Sequence, residues 1–319
     1  MIERLDSTWW LEYDRAHPAP TFFARPAWAL ATAEVYPSFT PAVLRVRSGG
    51  MEPILVPVLE HRSKTLRLRR FNAFPLGGYT CFLHEDGTVA SQRECDRAIR
   101  EIAACTHSAT IIPWPLAPAP AGGSEHVTAV VDLSGGIDKA LDGVDGCFRR
   151  MASQALRRGV ECAPATGIEA IQTYYELLCE SAKRWGIPEP VERRHLIEAL
   201  VRHGGRDVEI WFARADGRAI AGGVVFYGSE ELFFWSAAML SEFGRLRPSN
   251  ALNFALLRAA AERGMRWYNL GSSEGLPGVA RFKKDLGARD IAYHEITLAR
   301  LPVRIVRSVR HAIHKTMTG

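Results

Sequence analysis

The most constraining feature of this chain is the order of its apolar runs after residue 207. Val208 to Arg214 and Ala219 to Tyr227 are strand-like runs on either side of Asp216-Gly217, a hairpin turn signal. Leu232 to Met239 is a third such run, set off by Gly228-Ser229. Ser249 to Gly264 then has the length and apolar content of a helix, with Pro248 ahead of it and Gly264 at its end. Arg266 to Leu270 predicts a strand, Val279 to Leu286 a short helix and Ile291 to Leu298 a last strand. Three antiparallel strands followed by helix, strand, helix and strand predict an α+β unit, a mixed and mostly antiparallel sheet flanked by helices.

The chain ahead of this block is less regular. Asp145 to Gly159 is a basic helix pattern, followed by helices over Ile168 to Lys183 and His195 to His203. Between the two helices lies Trp185-Gly186-Ile187-Pro188. Further back, helices are predicted at Trp9 to Ala16, Pro26 to Tyr36 and Ser91 to Ala104. Strands are predicted at Ala42 to Arg47, Pro53 to Glu60, Thr65 to Phe71, Thr110 to Trp114 and His126 to Leu133. Residues 113 to 126, PWPLAPAPAGGSEH, have no period and are rich in Pro, Ala and Gly, which predicts a linker or long surface loop. The expected organisation is a first domain over 1–128 and a second over 129–319, consistent with 319 residues.

Composition removes several function classes. The six cysteines stand ten or more residues apart, without a CxxC, so zinc-knuckle and thioredoxin chemistry are not expected. The ten histidines form no HExxH, and no metal site is expected. The N-terminal stretch is charged early and lacks the apolar core of a secretory signal, so a cytoplasmic protein is expected. The net charge of +5 resides wholly after Glu295, in Arg300, Arg304, Arg307, Arg310 and Lys315. The remainder sums to zero, which argues against a globally basic nucleic-acid-binding body. From Pro302 to Met317, Val306, Val309 and Ile313 fall at helical spacing with the basic residues mainly off the stripe. Such a segment either packs on the protein or touches an anionic membrane surface. Gly271-Ser272-Ser273-Glu274-Gly275 satisfies the G-x-S-x-G hydrolase pattern, but Pro277-Gly278 interrupts the helix that must follow the serine.

Residues 265 to 289, MRWYNLGSSEGLPGVARFKKDLGAR, resemble the C-terminal signature of FemAB-like proteins and the related GNAT acetyltransferase group. There, a strand ending in Gly leads through a loop to a helix with an Arg/Phe/Lys triplet and a closing Gly-Ala pair. The matching residues here are Gly271, Arg281, Phe282, Lys283, Gly287 and Ala288. FRRMASQALRRGVE, 148 to 161, is similar to the basic helix that opens the family's second domain. SAAMLSEFGRLRPSNALNFALLRAAAERG, 236 to 264, is similar to its strand, loop with Pro and Asn, and helix. The resemblance implies two GNAT-like domains, the first degenerate. It implies transfer of an acyl or aminoacyl group from an activated donor to an amine, less readily a hydroxyl, of a cell-envelope precursor or related small molecule. The implied co-substrate is acyl-CoA or aminoacyl-tRNA, with no tightly bound cofactor. The implied partners are a small-molecule or lipid-linked acceptor, a tRNA acceptor end, and a membrane surface met by the basic tail. Two departures stand out: Asn269 occupies a position where an acid commonly stands, and Phe243 to Pro248 lacks the Gly-rich pyrophosphate loop. A non-catalytic ligand-binding protein that keeps the fold is the alternative.

Acyl transfer needs a positioned nucleophile, oxyanion donors and a proton acceptor. On the resemblance, Lys283 is the candidate for charge at the oxyanion, Glu274 for the base and Tyr268 for a proton donor. Arg245, Arg247, Ser249 and Asn250 lead into a helix N-terminus, where main-chain amides favour a donor phosphate. Phe282 and Arg281 complete the donor-binding candidates. Arg149, Arg150 and Arg157 share one helix, Arg150 and Arg157 on one face, and are candidates for acceptor or phosphate recognition. The bland reading of each, a solvated helix face or a core aromatic, stays open at this point.

Overall fold

The computed structural model describes residues 1–50, 52–62, 69–72, 78–118, 122–191, 193–273 and 275–299. Glu274, the start of the strand expected at 65–71, part of the 113–126 stretch and the amphipathic tail from 302 lie outside the described residues. The chain divides into two compact units, one of residues 1–19, 23–126 and 293–319, the other of residues 20–22 and 127–292.

The first unit holds β1 (Ile2–Leu5), α1 (Ser7–Ala16), α2 (Pro26–Val35), β2 (Phe39–Val46), β3 (Ile54–Arg62), β4 (Arg69–Asn72), α3 (Gln92–Cys105) and β5 (Ser108–Ile111). β1, β2, β3 and β4 pair antiparallel in turn, and β4 lies parallel to β5 across the α3 connection. Parallel neighbours need such a crossover, and α3 supplies it. Its stripe of Cys95, Ala98, Ile99 and Ile102, at i, i+3, i+4 and i+7, packs on Ala42, Leu44, Val56 and Val58 of the sheet. Ser91 and Glu94 cap the helix reciprocally. The 113–126 stretch is not all loop: Trp114 is buried and its N–H donates to the Thr80 carbonyl.

The second unit holds β6 (Ser124–Asp132, from Val127), α4 (Gly136–Asp142), α5 (Gly146–Arg157), β7 (Glu161–Ala165), α6 (Gly167–Arg184) and α7 (Arg194–Gly204). It continues through β8 (Val208–Ala215), β9 (Arg218–Tyr227), β10 (Glu231–Met239), α8 (Pro248–Glu262), β11 (Trp267–Asn269), α9 (Pro277–Asp285) and the start of β12 (Arg289–Ala299), whose residues from Tyr293 belong to the first unit. β7 to β10 pair antiparallel in turn, and β10 lies parallel to β11 across α8. This repeats the plan of the first unit, with α8 in the place of α3. Both sheets are mixed, mostly antiparallel and flanked by helices, as the sequence predicts. The sixth strand comes in each case from a distant part of the chain. β6 pairs antiparallel with β11, and the end of β12, Ile296 to Ala299, pairs antiparallel with β5.

Two layers of helix sandwich the second sheet. On one face Leu252, Leu256 and Ala260 of α8, with Phe148 and Ala155 of α5, bury Val225 and Tyr227 of β9. On the other, α6 lies against β9 and β10, and the Tyr174 hydroxyl donates to Ser236 Oγ at 2.7 Å. Ser236 sits at an irregularity in β10, where the register with β9 shifts between Phe234 and Ser236. Gly223 of β9 makes room for it: an added Cβ would fall 2.0 Å from a Phe234 ring carbon and 2.8 Å from the Ser236 carbonyl oxygen. Gly223→Ala is therefore expected to cost about 1–3 kcal/mol through overpacking. Urea denaturation would read this as a lower midpoint at unchanged slope; a midpoint equal to the parent's would mean that the bulge yields freely.

Candidate functional site

The pairing of β10 with β11 is short. It runs through Glu231–Trp267, Leu232–Tyr268 and Phe233–Asn269 and stops there. Beyond Phe233 the two strands part, and a cavity of about 450 Å³ opens between them. β10 contributes Phe234, Ala237, Ala238 and Met239 to its wall. Ser249, Leu252 and Asn253 of α8 and Val279, Phe282 and Lys283 of α9 close one side, and Arg184 and Trp185, at the end of α6, close the other. An apolar chamber with a few convergent polar groups is the usual form of a small-molecule site.

Lys283 is buried although charged. Its ammonium donates to the carbonyl oxygens of Gly271 at 2.9 Å and Ser272 at 2.8 Å. The α9 side chain thereby fastens the loop that follows β11 while also lining the cavity. The Gly271 peptide is held from its other end too, because its N–H donates to Asn269 Oδ1 at 2.9 Å. Gly271 has φ +70°, a conformation in which a side chain is strained.

Asn269 is wholly buried and does not line the cavity. Its Oδ1 also accepts from Thr128 Oγ1 at 2.6 Å, and its Nδ2 donates to Glu231 Oε1 at 2.8 Å. The main-chain N–H of Gly271 can only donate, which fixes the amide's orientation. Asn269 thus joins β6, β11 and β10. The position at which the resemblance leads one to expect an acid is here a structural junction away from the cavity lining.

Tyr268 is fully buried and also stands away from the cavity. Burial, and then the neighbouring Tyr227, push its hydroxyl well above the usual tyrosine range, so it stays a neutral donor. It donates to Asn253 Oδ1 at 2.9 Å, and Asn253 Nδ2 donates to the Ser249 carbonyl at 3.0 Å. Asn253 does reach the cavity, so Tyr268 acts on it only by orienting that amide.

The start of α8 has an unusual build. Arg247, at the N-cap, is left-handed with φ 57° and ψ 42°, Pro248 follows it, and no side chain caps the helix. A non-glycine residue in that region costs about 1–2 kcal/mol, and such strain concentrates at functional sites. Arg245 and Arg247 are exposed here. Arg158, at the end of α5, donates to the Arg245 carbonyl at 2.9 Å. Arg245 and Arg247 thus lead into an uncapped helix N-terminus and Arg158 is bonded to the same segment, a setting suited to an anion. Ser249 faces the cavity, its hydroxyl 3.3 Å from Met239 Sδ, whereas Asn250 is buried and does not line it.

Of the residues singled out in the sequence, the structure brings Lys283, Phe282 and Ser249 to the cavity and Arg245 and Arg247 to the adjoining helix start. Phe282 packs against Phe148 with ring centroids 5.2 Å apart. Arg281 is exposed and pairs with Asp285 at 3.2 Å. Arg149, Arg150 and Arg157 are exposed on α5 and do not line the cavity. The sequence reading missed Arg184 and Trp185. Arg184 Nη1 donates to the Met239 carbonyl at 3.1 Å, and its guanidinium lies 5.6 Å from the Trp185 ring centroid. Trp185 continues the α6 stripe of Tyr174, Leu178 and Ser181 and so has the spacing of a core residue, yet it is 55% exposed. Cys162 is no nucleophile, since burial pushes its thiol up to about 12.

Comparison with known proteins agrees with the fold. A family model described as "Acetyltransferase (GNAT) domain" matches residues 146–284. Among curated proteins none matches the sequence. Among solved structures, the chain is similar to FemX, with a TM-score of 0.70 and 13% identity over 96% of this chain and 99% of that one. It is also similar to the C-terminal domain of a putative lysylphosphatidylglycerol synthetase from Agrobacterium fabrum, with a TM-score of 0.56 and 12% identity over 97% of each chain. A tandem GNAT protein from the clavulanic acid biosynthesis pathway gives a TM-score of 0.51 and 14% identity, over 93% of this chain and 97% of that one. At these identities the likeness is one of fold.

Proposed function

Residues 146–284 being a GNAT-type acyltransferase domain, we propose that the chain moves an acyl or aminoacyl group from an activated ester, a coenzyme A thioester or an aminoacyl-tRNA, onto an amine. The observation that carries this reading is the parting of β10 from β11 beyond Phe233, beside the uncapped start of α8. A donor phosphate fits the α8 start with Arg245 and Arg247, and the acyl end fits the cavity. Beyond its last β11 pair, β10 runs along the cavity wall, where an extended donor arm can lie beside it as an added strand would. The amine nitrogen attacks the acyl carbon, the new C–N bond forms, and the C–S or C–O bond breaks. The amine's excess proton leaves with the departing thiolate or ribose oxygen.

In this reading Lys283 adds positive charge beside the reacting carbonyl and holds the Gly271–Ser272 loop in shape, while Phe282 shapes the acyl wall. Glu274 remains the candidate base, and Arg149, Arg150 and Arg157 are candidates for a phosphate or acceptor on the outer face of α5. Likeness to a putative lysylphosphatidylglycerol synthetase supports a lipid-linked acceptor. Likeness to a tandem GNAT protein, solved in a form without AcCoA, supports a thioester donor. Among the described residues no helix is long and apolar enough to cross a membrane; the proposed working place is the cytoplasm, with a lipid-linked acceptor met at a membrane face.

The test is mass spectrometry of ligand carried through purification, followed by turnover of labelled acyl-CoA and aminoacyl-tRNA with a panel of amines. Transfer from one donor class is expected. Binding without transfer from either class, over the whole panel, would leave a ligand-binding protein that keeps the fold.

A further inference from the structure

The cavity is larger and more apolar than a two-carbon acetyl group requires. Its floor comes from a run of small residues on paired strands: Gly222 of β9 stands opposite Ala238 of β10, and Gly223 opposite Ala237. Gly222, Ala237 and Ala238 line the cavity, and none of the three projects a bulky side chain into it. Phe234, Leu252 and Leu270 give the remaining wall an aliphatic and aromatic surface. The two charged groups in the wall are both cations, Arg184 and Lys283, and each is hydrogen-bonded to main-chain carbonyls. Among the described residues no carboxylate lines the cavity. Among the described residues of the wall, a group bearing an α-ammonium would meet two like charges and no counter-charge.

The rim continues the same chemistry. Trp185 and Val279 both line the cavity and stand 55% and 38% exposed. Leu276, one turn before Val279, and Ile187, two residues after Trp185, are exposed as well. Exposed large apolar residues gathered at a cavity mouth mark a surface for an apolar ligand. The Trp185 main chain is fixed, its N–H donating to the Ser181 and Ala182 carbonyls, and its ring carries the Arg184 guanidinium. It is a held surface and not a loose side chain.

We propose that the transferred acyl group is an uncharged apolar chain several methylenes longer than acetyl, bedded on the Gly222–Ala238 floor and leaving past Trp185 and Val279. This inference rests on the donor reading above and names the donor's acyl class. Each buried methylene favours binding by about a factor of four, so chain length is a direct readout.

Isothermal titration of the full chain with acetyl-CoA, octanoyl-CoA and succinyl-CoA tests it. Octanoyl-CoA is expected to bind at least about tenfold more tightly than acetyl-CoA. Trp185→Ala is expected to weaken octanoyl-CoA about fivefold or more and acetyl-CoA less than twofold. Val279→Ser, at a second exposed position, is expected to follow the same pattern, which guards against one variant misfolding. Equal affinity for acetyl- and octanoyl-CoA would overturn the inference and leave the proposed function standing. So would tightest binding of succinyl-CoA, whose chain ends in a carboxylate. No binding of any of the three would overturn both the inference and the thioester donor.

Discussion

Replacing Lys283 with methionine is expected to lower turnover by about 100-fold or more, the usual loss for one charge-stabilising donor, and to lower stability as well. Methionine keeps the stem and removes the ammonium, so the Gly271 and Ser272 carbonyls lose their donor. The Gly271 site is buried, and buried acceptors left unsatisfied cost about 1–3 kcal/mol each. From sequence alone Lys283→Ala is expected to leave folding nearly untouched; the two carbonyl bonds reverse that expectation. Steady-state turnover together with urea denaturation separates the contributions. A large loss of turnover at parental stability would mean that Lys283 serves substrate charge alone. Lost stability with parental turnover would mean that it only holds the loop.

Asn269→Asp is expected to be the most damaging single substitution in the second unit for its size. The Asn269 amide nitrogen donates to Glu231 Oε1 at 2.8 Å, with both residues buried. Aspartate has no donor to offer there and sets a second carboxylate against the first. Leaving a buried charge opposed costs about 3 kcal/mol or more. The penalty should be larger at pH 8 than at pH 5.5, where one of the two carboxyl groups can take up a proton and restore a donor. Denaturation midpoints at the two pH values check this. Parental stability of the variant at pH 8 would show that the junction tolerates two carboxylates and that Asn269 is not chosen for its donor.

The sequence carried the second unit well where punctuation was strong. Asp216-Gly217 and Gly228-Ser229 delimit β8, β9 and β10 to within a residue or two, and Pro248 and Gly264 do the same for α8. It carried β7 poorly. ECAPA is short and contains Pro164, which belongs to no central strand; at the sheet edge its missing N–H costs nothing. β1 and α4 were missed for the same reason, being short and without a clear period. The candidate site was legible only in part. Lys283 could be chosen because a family pattern includes it, but its two carbonyl partners lie twelve and eleven residues back, across a loop with no period. Trp185 was hidden by its place just past the expected end of the helix at Lys183, in a Gly- and Pro-containing connection with no period, while the space beneath that end of the helix is the cavity. The cavity itself arises where two strands stop pairing, which leaves no apolar pattern to detect.

The sixth strand of each sheet has a consequence for how the protein comes into being. β5 is finished early in synthesis, yet its antiparallel neighbour, Ile296 to Ala299, is almost the last described part to leave the ribosome. The nascent first unit must therefore wait, with one sheet edge open, while nearly all of the second is translated. An open edge is a template for pairing with other chains, and closing one over so long a separation is slow. The usual order, in which an N-terminal domain folds before its successor emerges, is denied to this chain. The two units reach their final form together, and a chain that stops short of residue 293 has a first unit without its closing strand.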